Sequence, residues 1–428
     1  MSRIRIVEAR DRDVLARLAV RGWDPGDDVV DAVKRIVSDV RARGDEALVA
    51  YARQFDDAEF EEGRIAVPLP PLAEARKLVP AGVAEGLELA QSRVRSFHER
   101  QRVPDVSYDE PDGTRYAWFT RALASAGAYV PGGTASLPSS VIMTVVPAKV
   151  AGVERVVVAT PPARGGSINP AILYACVLCG ADEVYAVGGA QAIAALAYGT
   201  RTISPVDKVV GPGNVWVTEA KRQVFGTVGI DGLAGPSEVL VVADESARAQ
   251  LVAGEMLAQA EHDPRSRVAA VSGSRELLER VADLLEEARG GGARGEIVGR
   301  VLEVAAWLIH ARSEDEVLEV VDAFAPEHLS VQTRAPMALV RRVRHAGAIF
   351  IGPWTPVAAG DYIAGTNHVL PTSGAARFSS GLRLADFMRT ISSVEYSRER
   401  MKADAGVLES LATFEGLPSH ADTARLRR

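Results

Sequence analysis

The chain has 428 residues, 47% hydrophobic and 25% charged, with a net charge of −7 and 2 cysteines. That length allows roughly two to three domains with a sizeable core. The acidic balance, without a dense Lys/Arg block, excludes a general nucleic-acid surface, and two cysteines cannot form a disulfide framework.

The opening Met-Ser-Arg-Ile-Arg-Ile-Val-Glu has no long apolar region, so no signal peptide is expected. Apolar runs are broken by Pro, Gly or charge before membrane-spanning length. No membrane partner and a cytoplasmic location are the expectation, in keeping with reduced thiols.

Up to about Arg102 the pattern is helical, with Val29, Val33, Ile36 and Val40 at helical spacing and Gly44 as a stop. Leu72 to Gln101 reads as helix interrupted at Pro80-Ala-Gly82. Val106 to Arg121 reads as a hairpin turning at Pro111-Asp-Gly113. Between Tyr129 and Ala243, β-rich runs at Arg155–Thr160, Glu183–Val187, Lys208–Val210 and Val239–Val242 alternate with helical segments. Those segments are Pro138–Val150, Pro170–Cys179, Ala190–Tyr198 and Val215–Val224, and the alternation calls for a parallel sheet covered by helices. The next block repeats the pattern, with a strand at Arg267–Ser272, a helix at Arg275–Ala288 and a strand at His345–Ile351. Ser313-Glu-Asp-Glu316 predicts a capping box for a helix ending at Phe324. After Gly381 polar helix dominates, and Met401, Ala405, Leu408 and Leu411 form a stripe with no partner in their own segment.

Three loops follow strands in the alternating block: Tyr129-Val-Pro-Gly-Gly133, Gly188-Gly-Ala-Gln191 and Gly211-Pro-Gly213-Asn214. Their backbone N–H groups could receive an anion, but an ordinary tight turn serves equally well for each. No G-x-G-x-x-G is present. In Gln259-Ala-Glu-His262, an amide oxygen and an imidazole share a helix face and make half of a mixed N/O metal site. A frayed helix end is the plainer reading of that pair alone. Asp361, His368, Glu415 and His420 add a carboxylate and imidazoles in loop-like contexts later in the chain. Glu327-His328 at a helix exit suits proton handling or, as readily, a solvated Glu beside a shielding His. Of the 7 histidines, His98, His310 and His345 sit in structural contexts, and the Cys176-x-x-Cys179 pair reads as core filler.

Taken together these motifs resemble the histidinol dehydrogenase family. The resemblance runs from about Ser96-Phe-His98 to His420 and includes Ala234-Gly-Pro-Ser-Glu-Val-Leu240, Ala258-Gln-Ala-Glu-His-Asp263, Ala325-Pro-Glu-His-Leu329 and Asn367-His-Val-Leu-Pro-Thr372. It implies an α/β fold of two Rossmann-like domains lacking the glycine fingerprint, with extended terminal segments forming an intertwined homodimer. The implied division is an N-terminal segment 1–24, a first domain 25–128 plus 238–380 carrying metal and catalytic residues, an NAD-binding domain 129–237, and a dimerisation tail 381–428. It implies one Zn²⁺ per subunit on Gln259, His262, Asp361 and His420, the last reaching in from the partner. Glu327 and His328 are implied as catalytic, and Tyr129, Gln191 and Asn214 as NAD contacts. Ser237, His368 and Glu415, with the metal-site residues and His328, are implied to contact the substrate L-histidinol. The implied reaction is oxidation through L-histidinaldehyde to L-histidine with two NAD⁺. Its rivals are a related dehydrogenase for another small diol or amino alcohol, a zinc hydrolase, and a non-catalytic zinc-stabilised assembly protein.

Overall fold

The computed structural model describes residues 4–19, 22, 24–132, 137–163 and 167–428. Gly133 of the predicted loop lies outside these residues. Two six-stranded sheets organise the chain. From edge to edge the first runs Ile6–Glu8, Ala306–His310, Arg267–Ser272, Glu238–Ala243, His328–Gln332 and Ala348–Ile351, every neighbour parallel. The second runs Ala66–Val67, Glu183–Ala186, Arg155–Thr160, Ser125–Tyr129, Lys208–Val210 and Gly229–Ile230. All its pairings are parallel except that of the edge strand Ala66–Val67. The chain is therefore mixed α/β with parallel sheets, as the alternation predicts. The central strands Arg155–Thr160 and Glu238–Ala243 are almost continuously apolar because helices cover both faces.

Local signals place the helices well. Asp27–Arg43 buries Val33, Ile36, Val37 and Val40, and ends at Gly44 with φ 58°. The predicted hairpin turns at Gly113 with φ 86° between Val106–Asp109 and Arg115–Ala122. The capping box forms only in half. Ser313 Oγ accepts from the Glu316 N–H, but the Glu316 carboxylate accepts from the Arg312 N–H and pairs with Arg10 instead of reaching the Ser313 N–H.

The packing places the N-terminal helices against the second sheet. Val33, Leu48, Leu87 and Val94 share a core with Tyr129, Val158, Ile193 and Val209, so residues 27–99 belong with the second sheet and not with 238–380. An apolar stripe identifies a buried face but carries no information about which sheet will cover it. Residues 1–24 are not separate either, since Ile6–Glu8 is an edge strand paired with Leu308–His310. The tail begins inside the second core, where Leu382, Leu384 and Phe387 are buried.

The tail also contains a strand that the polar composition conceals. Met388–Glu395 pairs antiparallel with Arg115–Ala122 in a three-stranded sheet. Helices Arg398–Phe414 and Pro418–Arg425 then pack on each other, and Arg400 Nη1 meets Asp112 at 2.9 Å on the hairpin turn. Of the predicted stripe, Ala405 is buried whereas Leu408 and Leu411 face solvent.

Candidate active site

Most of the candidate residues fall at or beside strand ends of the two sheets. Ser237 precedes the strand Glu238–Ala243, and His328 opens the strand His328–Gln332 just after Glu327. Gln259 and His262 lie at the carboxyl end of helix Ala249–Ala260, which returns the chain to the start of Arg267–Ser272. This group therefore sits at the amino ends of the first sheet. Tyr129 instead ends a strand of the second sheet, and Gln191 and Asn214 follow the carboxyl ends of two others, the usual ligand edge of a parallel α/β sheet. The peptide N–H of Gly235 donates to Thr372 Oγ1 at 2.5 Å, and Asn367 Nδ2 donates to the Met143 carbonyl at 2.7 Å, so the segment after Asp361 ties the two edges together.

Glu327 and His328 are both buried. The Glu238 N–H donates to Glu327 Oε2 at 2.8 Å, and His328 Nδ1 meets the Glu238 carbonyl at 3.0 Å. That contact makes Nδ1 the protonated nitrogen of the neutral ring and leaves Nε2 as an acceptor. Nε2 is buried without a hydrogen-bond partner and lies 3.9 Å from Asp361 Oδ1. His328 Nδ1 is 3.5 Å from Glu327 Oε2, and His368 Nδ1 meets the Asp361 carbonyl at 2.9 Å. Burial pushes Glu327 well above the usual carboxylate range, with Glu238 and Asp361 adding repulsion. Burial also lowers His328 to about 4, helped by the neighbouring His262 and His368 rings. Asp361 is raised to about 6 by burial and by the charge of Glu255. Glu255, on the helix that carries Gln259, is itself raised by burial and accepts from the Val357 N–H at 3.1 Å.

These carboxylates share a property that bears on metal binding. Among the described residues, no Lys or Arg pairs with Glu255, Glu327 or Asp361. A buried surplus of negative charge next to neutral imidazoles suits a divalent cation. Among the described residues, however, no three His, Cys, Asp or Glu side chains are gathered closely enough to hold one. Gln259 is buried at the end of helix Ala249–Ala260, and the His262 ring lies near enough to His328 and His368 to lower the pKa of both. Glu415 ends the helix Arg398–Phe414, His420 lies in the next helix, and both are exposed. Among the described residues, no hydrogen bond or ion pair joins either to the Glu327–His328 group.

At the other edge, Tyr129 is buried, its hydroxyl accepts from the Gly189 N–H at 3.1 Å, and burial raises it to about 12. Gln191 is buried at the start of helix Gly189–Tyr198. Asn214 caps helix Val215–Val224, its Oδ1 accepting from Trp216 and Val217 N–H at 3.1 and 3.2 Å. Two of the features read as structural, His98 and the cysteine pair, are core residues. His98 is fully buried with Nδ1 at 2.8 Å from the Val94 carbonyl, and Cys176 and Cys179 are buried thiols whose pKa burial raises. Sequence reasoning passed over Glu238. A carboxylate opening the apolar run Glu238-Val-Leu-Val-Val-Ala243 was the available signal.

The fold is thus α/β, with a buried carboxylate–imidazole pair at the amino end of one parallel strand. A family model described as histidinol dehydrogenase matches residues 21–428. The histidinol dehydrogenase of Haloarcula marismortui is 47% identical over 414 residues, covering 96% of each chain, and that of Synechococcus sp. is 46% identical over 402 residues, covering 93% and 92%. A crystal structure of histidinol dehydrogenase from Elizabethkingia anophelis superposes with a TM-score of 0.93 at 31% identity, covering 100% of this chain and 98% of that one. The chain belongs to the histidinol dehydrogenase family. No helix among the described residues is long and apolar enough to cross a membrane.

Proposed function

We propose that this chain is a zinc- and NAD-dependent histidinol dehydrogenase, oxidising L-histidinol through bound L-histidinaldehyde to L-histidine with two NAD⁺ per product. The observation that carries the reading is the buried Glu327–His328 pair, both members held by one residue, Glu238, and facing Asp361. With Nδ1 engaged by the Glu238 carbonyl, His328 keeps Nε2 as the acceptor for the alcohol proton. Glu327, buried beside His328, takes the proton of the water that attacks the aldehyde. Gln259, His262 and Asp361, with the partner subunit's His420, would hold the zinc. When bound, it supplies a template for the amine and imidazole of the substrate, and NAD⁺ supplies the hydride acceptor.

In this reading the two parallel sheets are Rossmann-like domains without the glycine fingerprint. Tyr129, Gln191 and Asn214 bind NAD, and Ser237, His368 and Glu415 bind the substrate. The exposed tail belongs to an intertwined homodimer that completes each site. One assay tests the whole proposal: NADH formed from L-histidinol is counted per histidine, with and without a chelator. Two NADH per histidine, lost on metal removal and restored by Zn²⁺, is the expected result. Full turnover in metal-free protein, or one NADH per product, would overturn it.

A further inference from the structure

We propose that Glu238, anchored by Arg267, is the positioning residue for the Glu327–His328 pair, an inference that rests on that pair being the proton-handling groups. Glu238 uses both of its main-chain polar groups on the pair: its N–H donates to Glu327 Oε2 at 2.8 Å, and its carbonyl meets His328 Nδ1 at 3.0 Å. Its side chain is 1% exposed, with the Glu327 and Ser373 peptide groups beside it. Its Oε1 accepts from Arg267 Nη1 at 2.8 Å.

Arg267 in turn reaches two more segments. Nη2 donates to the Leu18 carbonyl at 2.8 Å, and the guanidinium lies 4.5 Å from the centre of the Phe324 ring. Phe324 ends the helix that delivers Glu327. One guanidinium therefore braces the peptide that holds the pair and the chain that brings it.

Two features separate this from a stability device. A buried ion pair is often no more stabilising than apolar side chains of the same volume. The second Glu238 oxygen, Oε2, is also buried without a hydrogen-bond partner, a cost that a purely structural pair avoids. What the charge pair adds is direction. Strand pairing sets Glu238 opposite Arg267 and Val239 opposite His328, but Glu238, Arg267 and His328 are the first residues of their strands, where the ladder alone constrains the peptide least.

The test uses the zinc-loaded enzyme and steady-state kinetics with L-histidinol. Glu238→Ala is expected to lower kcat roughly 10–100-fold, with KM changed less than about threefold. Glu238→Gln keeps an acceptor for Arg267 and is expected to recover kcat to within about fivefold of wild type. Added to His328→Asn, Glu238→Ala should cost less than about threefold more, because residues acting through one group are not additive. The double variant Glu238→Met/Arg267→Met removes both charges, so it should keep the wild-type Tm or exceed it while still losing kcat. Wild-type kcat in Glu238→Ala or in the double variant overturns the proposal, as does a full multiplicative loss on top of His328→Asn. Wild-type kcat in His328→Asn alone would instead overturn the reading of the pair, and this inference with it.

Discussion

At the scale of single residues, burial decides what a titratable side chain can do. Glu327 and His328 are neighbours in sequence with ordinary reference pKa values. Inside the protein the acid is pushed up and the imidazole down, so both are driven towards their neutral forms. Glu327→Gln should lower acid formation from the aldehyde by roughly 10²–10⁴-fold. Because Glu327 is not an assigned ligand, the variant should keep its zinc, and metal content measured beside His262→Asn checks this. A second prediction concerns Asp56, a half-buried acid whose Oδ2 has no hydrogen-bond partner and whose pKa burial raises to about 6. Its folded pKa exceeds its unfolded one, so protonation favours the folded state. That contribution is fully present below about pH 4 and is lost as pH rises through about 6. Asp56→Asn should therefore stabilise the protein at pH 7 by about 1–2 kcal/mol, the full shift being discounted for partial exposure. The gain should disappear at pH 4, and urea titrations at the two pH values read it directly.

At the scale of elements, a buried charge pair clamps the loop that follows the strand Lys208–Val210. Gly211 adopts φ 115°, and a Cβ there would collide with the Tyr129 carbonyl oxygen, so only glycine fits. Both of its main-chain groups are held: its N–H donates to Asp231 Oδ2 at 2.7 Å, and its carbonyl accepts from Lys221 Nζ at 3.0 Å. Lys221 and Asp231 are themselves a buried ion pair. The strand end, the helix Val215–Val224 and the crossover to the first sheet are thus clamped at the loop proposed to hold NAD. Lys221→Met leaves Asp231 buried and unpaired, which should cost about 3–5 kcal/mol of stability. KM for NAD⁺ should rise more than KM for histidinol. Equal rises in both would remove the link between this clamp and the nucleotide loop.

At the scale of the whole molecule, the C-terminal helices leave large apolar side chains exposed. Leu408, Leu411, Phe414 and Leu417 are exposed, on helices that lean mainly on each other. The proposed shared dimer covers this surface and brings the partner subunit's His420 to Gln259, His262 and Asp361. His328→Ala and His420→Ala should each be nearly inactive as homodimers. When equal amounts are unfolded and re-paired, roughly half the dimers are mixed, and each mixed dimer has one intact site. Activity should therefore return on mixing. Mixed dimers verified by mass that stay inactive would place His420 in its own subunit's site.

The sequence by itself determined the alternating strands and helices, because the helical period and the continuous apolar strands are local consequences of which faces are buried. It also determined the candidate residues, through motifs such as Gln259-Ala-Glu-His262 and Ala325-Pro-Glu-His-Leu329 whose order along the chain is specific. Only the tertiary structure decided that residues 27–99 cover the second sheet, since any sufficiently apolar layer satisfies such a stripe. It also decided that Met388–Glu395 is a strand. Its mixed polar and apolar residues acquire that form from pairing with Arg115–Ala122, far away in sequence. The role of Glu238 belongs to the same class. Its main-chain groups meet Glu327 and His328 across about ninety residues, and main-chain hydrogen bonds across such distances leave no trace in the identity of the residue that makes them.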